Sequence, residues 1–301
     1  MPMPPIATTA PLAGRTVNRV GYGAMQLERL HDDRDAAVTL LRHAIDLGVN
    51  HLDTAEFYGN AFVNGVIRDA LRPGDDVLVV SKVGADPNPG GPIRLRPAQR
   101  PHELRASVED NLRTLGTEQI GVVNLRRLDT RPGLKAEGDQ LVDLDDQLEV
   151  MTALRDEGKI GAIGLSSVTL EILRRALPAG IACVQNAYSL VSREDEDMLE
   201  LCLAEDIAWV PFFPLGGAFP GLPKVTDEPA VHTVAESLGA TPSQIGLAWL
   251  LHHAPNVHLI PGTATARHLE ENVAAGSIGF DDATLAILDA VPSRSQDMAL
   301  G

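Results

Sequence analysis

A single-domain (β/α)8 barrel is the fold class this sequence predicts, and three observations lead to it. Short apolar runs alternate with segments of helical periodicity over nearly the whole chain, a pattern that requires right-handed crossovers and gives a parallel sheet. The apolar runs number eight, the count at which such a sheet closes on itself. Their C-terminal ends read Met25, Asp53, Lys82, Arg126, Ser166, Gln185, Phe212 and Gly262, a ring of mostly polar and aromatic groups that is costly in a core and useful at a pocket mouth.

Residues 1–12 are rich in proline and are expected to be a flexible N-terminus, with the barrel occupying 13–301. Gly14 to Arg19 precedes the first unit and can add a small hairpin. The strand-like runs are Val20 to Met25, His51 to Asp53, Val77 to Lys82, Ile120 to Leu125, Ile160 to Ser166, Ala182 to Asn186, Ala208 to Phe212 and Val257 to Pro261. Amphipathic segments between them include Asp35 to Leu47, Pro101 to Leu115, Leu144 to Glu157, Arg193 to Glu205, Glu228 to Leu238 and Pro242 to His253. The Gly/Pro-rich patch Asp86 to Gly91 reads as a short loop. A doubly wound dinucleotide fold competes, but it calls for G-x-G-x-x-G after the first strand, and Gly21 and Gly23 lack the third glycine.

Composition narrows the partners. With 44% hydrophobic and 22% charged residues the chain can bury a large core. A formal charge of −16 opposes binding to nucleic acid or anionic lipid, which need clustered Lys and Arg. Cys183 and Cys202 lie in apolar runs without metal-ligand spacing and read as reduced structural thiols. The opening MPMPPIATTAPLAG has no basic stretch leading into an apolar core, and no apolar run reaches membrane-span length, so a cytoplasmic location is expected. His252 and His253 are adjacent on a helical segment and face different directions, which disfavours metal ligation, and no metal is expected.

The chemistry concentrates in NHLDTAEFYGN and VLVVSK, the ends of two successive strand runs. An ammonium about 4 Å from a phenol contributes roughly 4 kcal/mol at an effective dielectric near 20, about three pKa units before desolvation opposes it. Lys82, one of four lysines, can thereby make Tyr58 a workable acid, with Asp53 holding the ammonium charged and oriented. Taken singly, each residue has an ordinary explanation: Asp53 caps a helix, Tyr58 packs on the surface, Lys82 ends a strand in solvent. Their combination is harder to dismiss.

With these residues, the sequence resembles the aldo-keto reductase superfamily, whose catalytic Asp, Tyr, Lys and His occupy successive strand ends of a barrel. GYGAMQL, VVNLR, VQNAYSL, VPFFPLGG and IPGTATARHLEEN are similar to its bacterial pyridoxal reductase branch, and the resemblance runs from about Asn18 to the C-terminus. It implies NADPH-dependent reduction of a small-molecule carbonyl, with Asp53, Tyr58, Lys82 and Arg126 as the catalytic set. It also implies cofactor contacts from Gly23, Ala24, Met25, Asp53, Ser166, Ser167, Pro214, Leu215 and Gly216, with Gln185 on the nicotinamide carboxamide and Phe212 stacked on its ring. Composition fits Phe213 as well as Phe212; strand alternation sends the two to opposite faces, so at most one meets cofactor. In IPGTATARHLEEN, Gly262 precedes a helix start whose free N–H groups suit a phosphate. Thr263, Thr265, Arg267 and His268 can take the 2′-phosphate of NADP, and family analogy puts Glu271 and Asn272 near the adenine.

Three departures from the family pattern bear on the substrate. Arg126 stands where the superfamily commonly has histidine; its fixed charge and rigid fork can donate to the carbonyl oxygen or to an anionic substituent, or pair with Asp53 or Glu56. Ser167 replaces an asparagine, and the segment Glu28 to Asp35 is shorter than in pyridoxal reductases. Pyridoxal or another small aromatic aldehyde is the expected substrate. The alternatives are a ketone reductase acting on a natural-product or sugar intermediate, and an NADP-binding, redox-sensing barrel with little turnover.

Overall fold

Seven strands form one parallel sheet whose two edges are joined by an eighth segment, in a computed structural model that describes residues 7–91, 94–129, 134–217 and 221–294. A hairpin of β1 (Thr9–Leu12) and β2 (Arg15–Asn18) comes first, antiparallel and in register from Thr9 opposite Asn18 to Leu12 opposite Arg15. It begins earlier than the sequence suggests: Thr9–Leu12, placed in the flexible segment 1–12, is paired strand, and residues 1–6 lie outside those described. The pairing follows from side chains, since Leu12 and Val17 bury themselves with Leu78, Val122 and Ala208 and so plug the N-terminal end of the barrel.

The barrel strands are β3 (Tyr22–Gly23), β4 (His51–Asp53), β5 (Leu78–Val83), β8 (Ile120–Arg126), β9 (Ile160–Ser166), β10 (Ile181–Gln185) and β11 (Ala208–Trp209), neighbours in that order. Between β5 and the helix that follows it lies a second hairpin, β6 (Ala85–Pro87) with β7 (Leu95–Pro97), where the sequence suggested only a loop. Closure comes from segment 257–260, which bridges Trp209 through Val257 and Val20 through Leu259. Three backbone hydrogen bonds to its neighbours fix it, His258 N–H to Trp209 O at 2.8 Å, Leu259 N–H to Arg19 O at 2.7 Å and Gly21 N–H to Leu259 O at 2.8 Å. Gly23 and Gly262 are required at this seam: a Cβ on Gly23 would stand 2.3 Å from Ile260 O, and one on Gly262 would stand 2.5 Å from Gly23 O.

Helices α1 (Arg34–Asp46), α2 (Phe62–Ala70), α3 (Pro101–Leu115), α4 (Leu144–Asp156), α5 (Leu170–Ala176) and α6 (Glu196–Ala204) each follow a barrel strand. Then α7 (Pro229–Leu238) and α8 (Pro242–His253) precede the closing segment, and α9 (Ala266–Ala274) and α10 (Asp282–Asp289) follow it. The ring of helices closes where His43 of α1 meets Glu270 of α9 at 2.9 Å. A continuous apolar core lies between helices and barrel, from Leu41, Val63 and Leu104 round to Trp209, Trp249 and Leu269. Cys183 and Cys202 are buried and unpaired, and burial pushes both thiols up to about 12.

One buried carboxylate ties the second hairpin to the barrel. Glu103 accepts Arg100 Nη2 at 2.7 Å, the Arg100 backbone N–H at 3.1 Å, Gln140 Nε2 at 3.1 Å and Arg96 Nη1 of β7 at 3.3 Å. The Arg100 guanidinium leads these donors, which together hold the carboxyl at about 2 against an ordinary 4.5. A depressed folded value means stability that is complete above pH 4.5 and is lost as pH falls through about 2. Glu103→Gln is expected to lower Tm at neutral pH, with the gap to wild type narrowing from about pH 5 towards pH 2. A gap that does not change with pH would mean that the ionised carboxylate contributes nothing.

Candidate active site at the open end of the barrel

Strand alternation turns Leu78, Val80 and Lys82 of β5 to one face, and likewise Val122, Asn124 and Arg126 of β8. Leu78, Val80 and Val122 share a buried cluster with Cys183, Ala208, Val210 and Ile260, so this face is the barrel interior. The strand ends above the cluster therefore converge on the mouth. Lys82 Nζ donates to Asp53 Oδ2 at 2.6 Å and to Thr54 O at 3.0 Å, with Asp53 4% and Lys82 7% exposed. The ammonium sits 5.1 Å from the centroid of the Tyr58 ring. The three residues picked out in the sequence thus meet in one cluster.

The loop that delivers Tyr58 is tightly wound. Gly59, Asn60 and Ala61 all have positive φ, at 60°, 51° and 67°, a run of left-handed residues that two side chains make costly. Glu28 holds the turn from outside, its Oε1 accepting the Gly59 N–H at 2.8 Å. Sequence reasoning missed Glu28, which it read only as part of a shortened loop.

Electrostatics correct one expectation. Burial is the largest influence on Tyr58 and pushes its phenol above the ordinary 10, and the opposing pull of Lys82, itself countered by Asp53, does not overcome it. The ammonium's pull was reckoned before desolvation opposed it, and in the folded chain desolvation is the larger of the two. Burial likewise pulls the Lys82 ammonium down, but Asp53 and Tyr58 outweigh it and leave Lys82 above its ordinary 10.5. Desolvation lowers Arg126, partly offset by Tyr58, the residue its charge faces. Among the described residues no carboxylate lies within 4 Å of its guanidinium, so the pairing with Asp53 or Glu56 is not present.

Gln185 is fully buried and donates Nε2 to Asp53 Oδ1 at 2.7 Å. A carboxylate only accepts, so this contact fixes the amide orientation and turns Oε1 the other way, buried and without a partner among the described residues. A buried acceptor awaiting a donor suits a carboxamide N–H. Ser166 and Ser167 are buried beside it, with Ser167 at φ 54° and its backbone N–H on Gln185 O. Phe212 and Phe213 do not take opposite faces. Phe213 has φ 53°, which ends the extended chain, and the rings meet edge to face with centroids 5.1 Å apart. Pro214, Leu215 and Gly216 continue this turn, Gly216 N–H reaching Phe213 O at 2.8 Å.

Across the seam Ala24 is buried, while Met25 is exposed and faces a cavity of about 470 Å3. Its other walls include Glu28, Phe57, Tyr58 and, from the β6–β7 hairpin, Asn88, Arg94 and Leu95. Tyr58 thus lines a space shared with the Phe57 ring, the Met25 thioether, the Glu28 carboxylate and the exposed Arg94 guanidinium. Thr265 caps α9, its Oγ1 accepting the His268 N–H at 3.4 Å, and Thr263 Oγ1 accepts the Thr265 N–H at 3.2 Å. Arg267 reaches Glu271 at 3.2 Å and His268 at 2.9 Å, so these residues share an exposed helix start with Asn272 one turn on.

The sequence model of the aldo/keto reductase family matches residues 19–292. The chain belongs to the aldo/keto reductase family. This aldo/keto reductase is 42% identical over 292 residues to pyridoxine 4-dehydrogenase of Escherichia coli, covering 95% of the chain and 98% of that protein. It is 33% identical to an uncharacterized oxidoreductase of Schizosaccharomyces pombe, covering 94% of the chain and 89% of that protein. Among solved structures, an aldo-keto reductase from Klebsiella pneumoniae in complex with NADPH superposes with a TM-score of 0.79 at 26% identity, covering 98% of this chain and all of that one.

Proposed function

We propose that this aldo/keto reductase is a cytoplasmic NADPH-dependent carbonyl reductase whose substrate is pyridoxal or a small aromatic aldehyde, and that Tyr58 is its proton donor. The observation behind it is the Asp53–Lys82–Tyr58 cluster at the barrel mouth, whose tyrosine also lines a cavity together with Met25, Phe57 and Leu95. When bound, NADPH supplies the hydride that adds to the carbonyl carbon. Tyr58, protonated at neutral pH and raised further above 10 by its burial, gives its proton to the developing alkoxide, and the adjacent Lys82 ammonium stabilises the phenolate left behind. Asp53 keeps that ammonium charged and in place, and Arg126 donates to the carbonyl oxygen.

For the cofactor, Gln185 Oε1 has the chemistry to accept from the nicotinamide carboxamide, with Ser166 and Ser167 beside it and Phe212 on the ring. The Thr265-capped start of α9, with Thr263, Arg267 and His268, would hold the 2′-phosphate, and Glu271 and Asn272 the adenine. Gly23 and Gly262 approach closely at the seam, and with Ala24, Met25, Pro214, Leu215 and Gly216 they would flank the dinucleotide. The 42% identity to a pyridoxine 4-dehydrogenase supports the aromatic aldehyde. A screen of pyridoxal, substituted benzaldehydes and keto-sugars, followed by NADPH absorbance, tests the assignment. Turnover of pyridoxal or benzaldehydes well above that of keto-sugars is expected. Tight NADPH retention with no turnover of any carbonyl would favour a redox-sensing barrel.

A further inference from the structure

Behind the catalytic pair, on the outer face of the same two strands, lies a polar cluster with no place in the chemistry above. Asp53 and Lys82 point into the barrel, so their neighbours Thr54 and Ser81 point outward, towards α2 and α3. There Thr54 Oγ1 donates to Asn64 Oδ1 at 2.8 Å, and Ser81 Oγ donates to Asn111 Oδ1 at 2.6 Å. The two asparagines are joined, Asn64 Nδ2 donating to Asn111 Oδ1 at 3.1 Å and to Thr114 Oγ1 at 2.9 Å. Asn111 Nδ2 donates to Ser107 O at 2.8 Å, and Ser107 Oγ continues to Asp86 Oδ1 of β6 at 2.9 Å. All but Asp86 are buried, and none of the side-chain atoms of Thr54, Asn64, Ser81, Asn111 or Thr114 is left unsatisfied.

Apolar residues of similar size would fill this space without the desolvation cost, so the network's physical effect is positional: hydrogen bonds fix one register between elements where apolar packing tolerates several. The elements it fixes are the ends of β4 and β5, one residue from each catalytic side chain. Thr54 contributes twice, through its hydroxyl to Asn64 and through its carbonyl to Lys82 Nζ at 3.0 Å.

We propose that Asn64 and Asn111, through Thr54 and Ser81, are positioning residues that set the distance between Asp53 and Lys82 and hold the pair to the hydride-transfer geometry. The proposal rests on the catalytic roles assigned above to that pair. Supporting groups of this kind commonly change activity by about 10–100-fold without touching substrate.

The test uses Ser81→Ala, Ser81→Thr and Asn111→Leu in the full chain, with Lys82→Met alongside. Steady-state kinetics, NADPH affinity by fluorescence, Tm and the primary deuterium isotope effect with NADPH labelled at the transferred position are measured. Ser81→Ala is expected to lower kcat about tenfold, with substrate KM and NADPH affinity little changed and the isotope effect raised, because the transfer step itself has slowed. Ser81→Thr, which keeps the hydroxyl, restores both values. Asn111→Leu shows a larger loss of the same kind; should it fail to fold, the serine pair still decides. Wild-type kcat and isotope effect in Ser81→Ala, with Lys82→Met inactive, would overturn this proposal and leave the catalytic reading standing. Activity in Lys82→Met would overturn the catalytic reading itself.

Discussion

Tyr58→Phe is expected to lose carbonyl-dependent NADPH oxidation by about 10²–10⁴-fold, the usual contribution of a positioned general acid, while binding NADPH as wild type does. Phenylalanine keeps the ring, and with it the edge-to-face contact with Phe57 at 5.2 Å and the ammonium of Lys82 near its face at 5.1 Å. The loop keeps its backbone bonds, including Gly59 N–H to Glu28. What disappears is one hydroxyl and the proton it carries. Burial holds the wild-type phenol above 10, so reduction should be sustained through neutral pH and decline only on the alkaline side, as Tyr58 loses its proton. Residual activity in the variant should lack that alkaline limb. Unimpaired turnover in Tyr58→Phe, measured by NADPH absorbance across that range, would take Tyr58 out of the mechanism.

The barrel was legible in the sequence because its evidence is local and repeated. Most strand runs ended in a polar or aromatic side chain, and Asp53, Lys82, Arg126 and Gln185 could be placed at the barrel mouth from those ends. The two hairpins were harder to see for one shared reason. Pro11 in β1 and Pro87 in β6 lie in proline-rich stretches that read as a flexible segment and a loop, although proline is tolerated on short edge strands such as these. Alternation failed at Phe213, where a positive φ ends the extended chain after Phe212. The bond from Gln185 to Asp53 spans 132 residues, and no spacing rule reaches that far. Burial was the other invisible quantity: the sign of the Tyr58 shift depends on desolvation set by a turn clamped from Glu28.

Lys82→Met should abolish turnover and also destabilise the fold, and the two losses have one origin. Methionine matches the stem of lysine but removes the donor that Asp53 Oδ2 holds at 2.6 Å, leaving the carboxylate side chain, among the described residues, with Gln185 Nε2 alone. Breaking a buried ion pair from one side costs about 3–5 kcal/mol, because the surviving charge stays desolvated. The double variant Asp53→Asn/Lys82→Met leaves no such charge, so it should melt higher than Lys82→Met by itself while remaining inactive. The pH dependence has a definite sign. Lys82 stands above its ordinary 10.5 in the folded chain, so its contribution to stability is complete below 10.5 and drains away as pH rises through the folded value. The Tm gap between wild type and Lys82→Met should therefore be flat from neutral pH to the start of that window and close beyond it. Should Lys82→Met melt with wild type at neutral pH, the ammonium would not be buried against Asp53 in solution, and Tyr58 would have no cation beside it to stabilise the phenolate it forms.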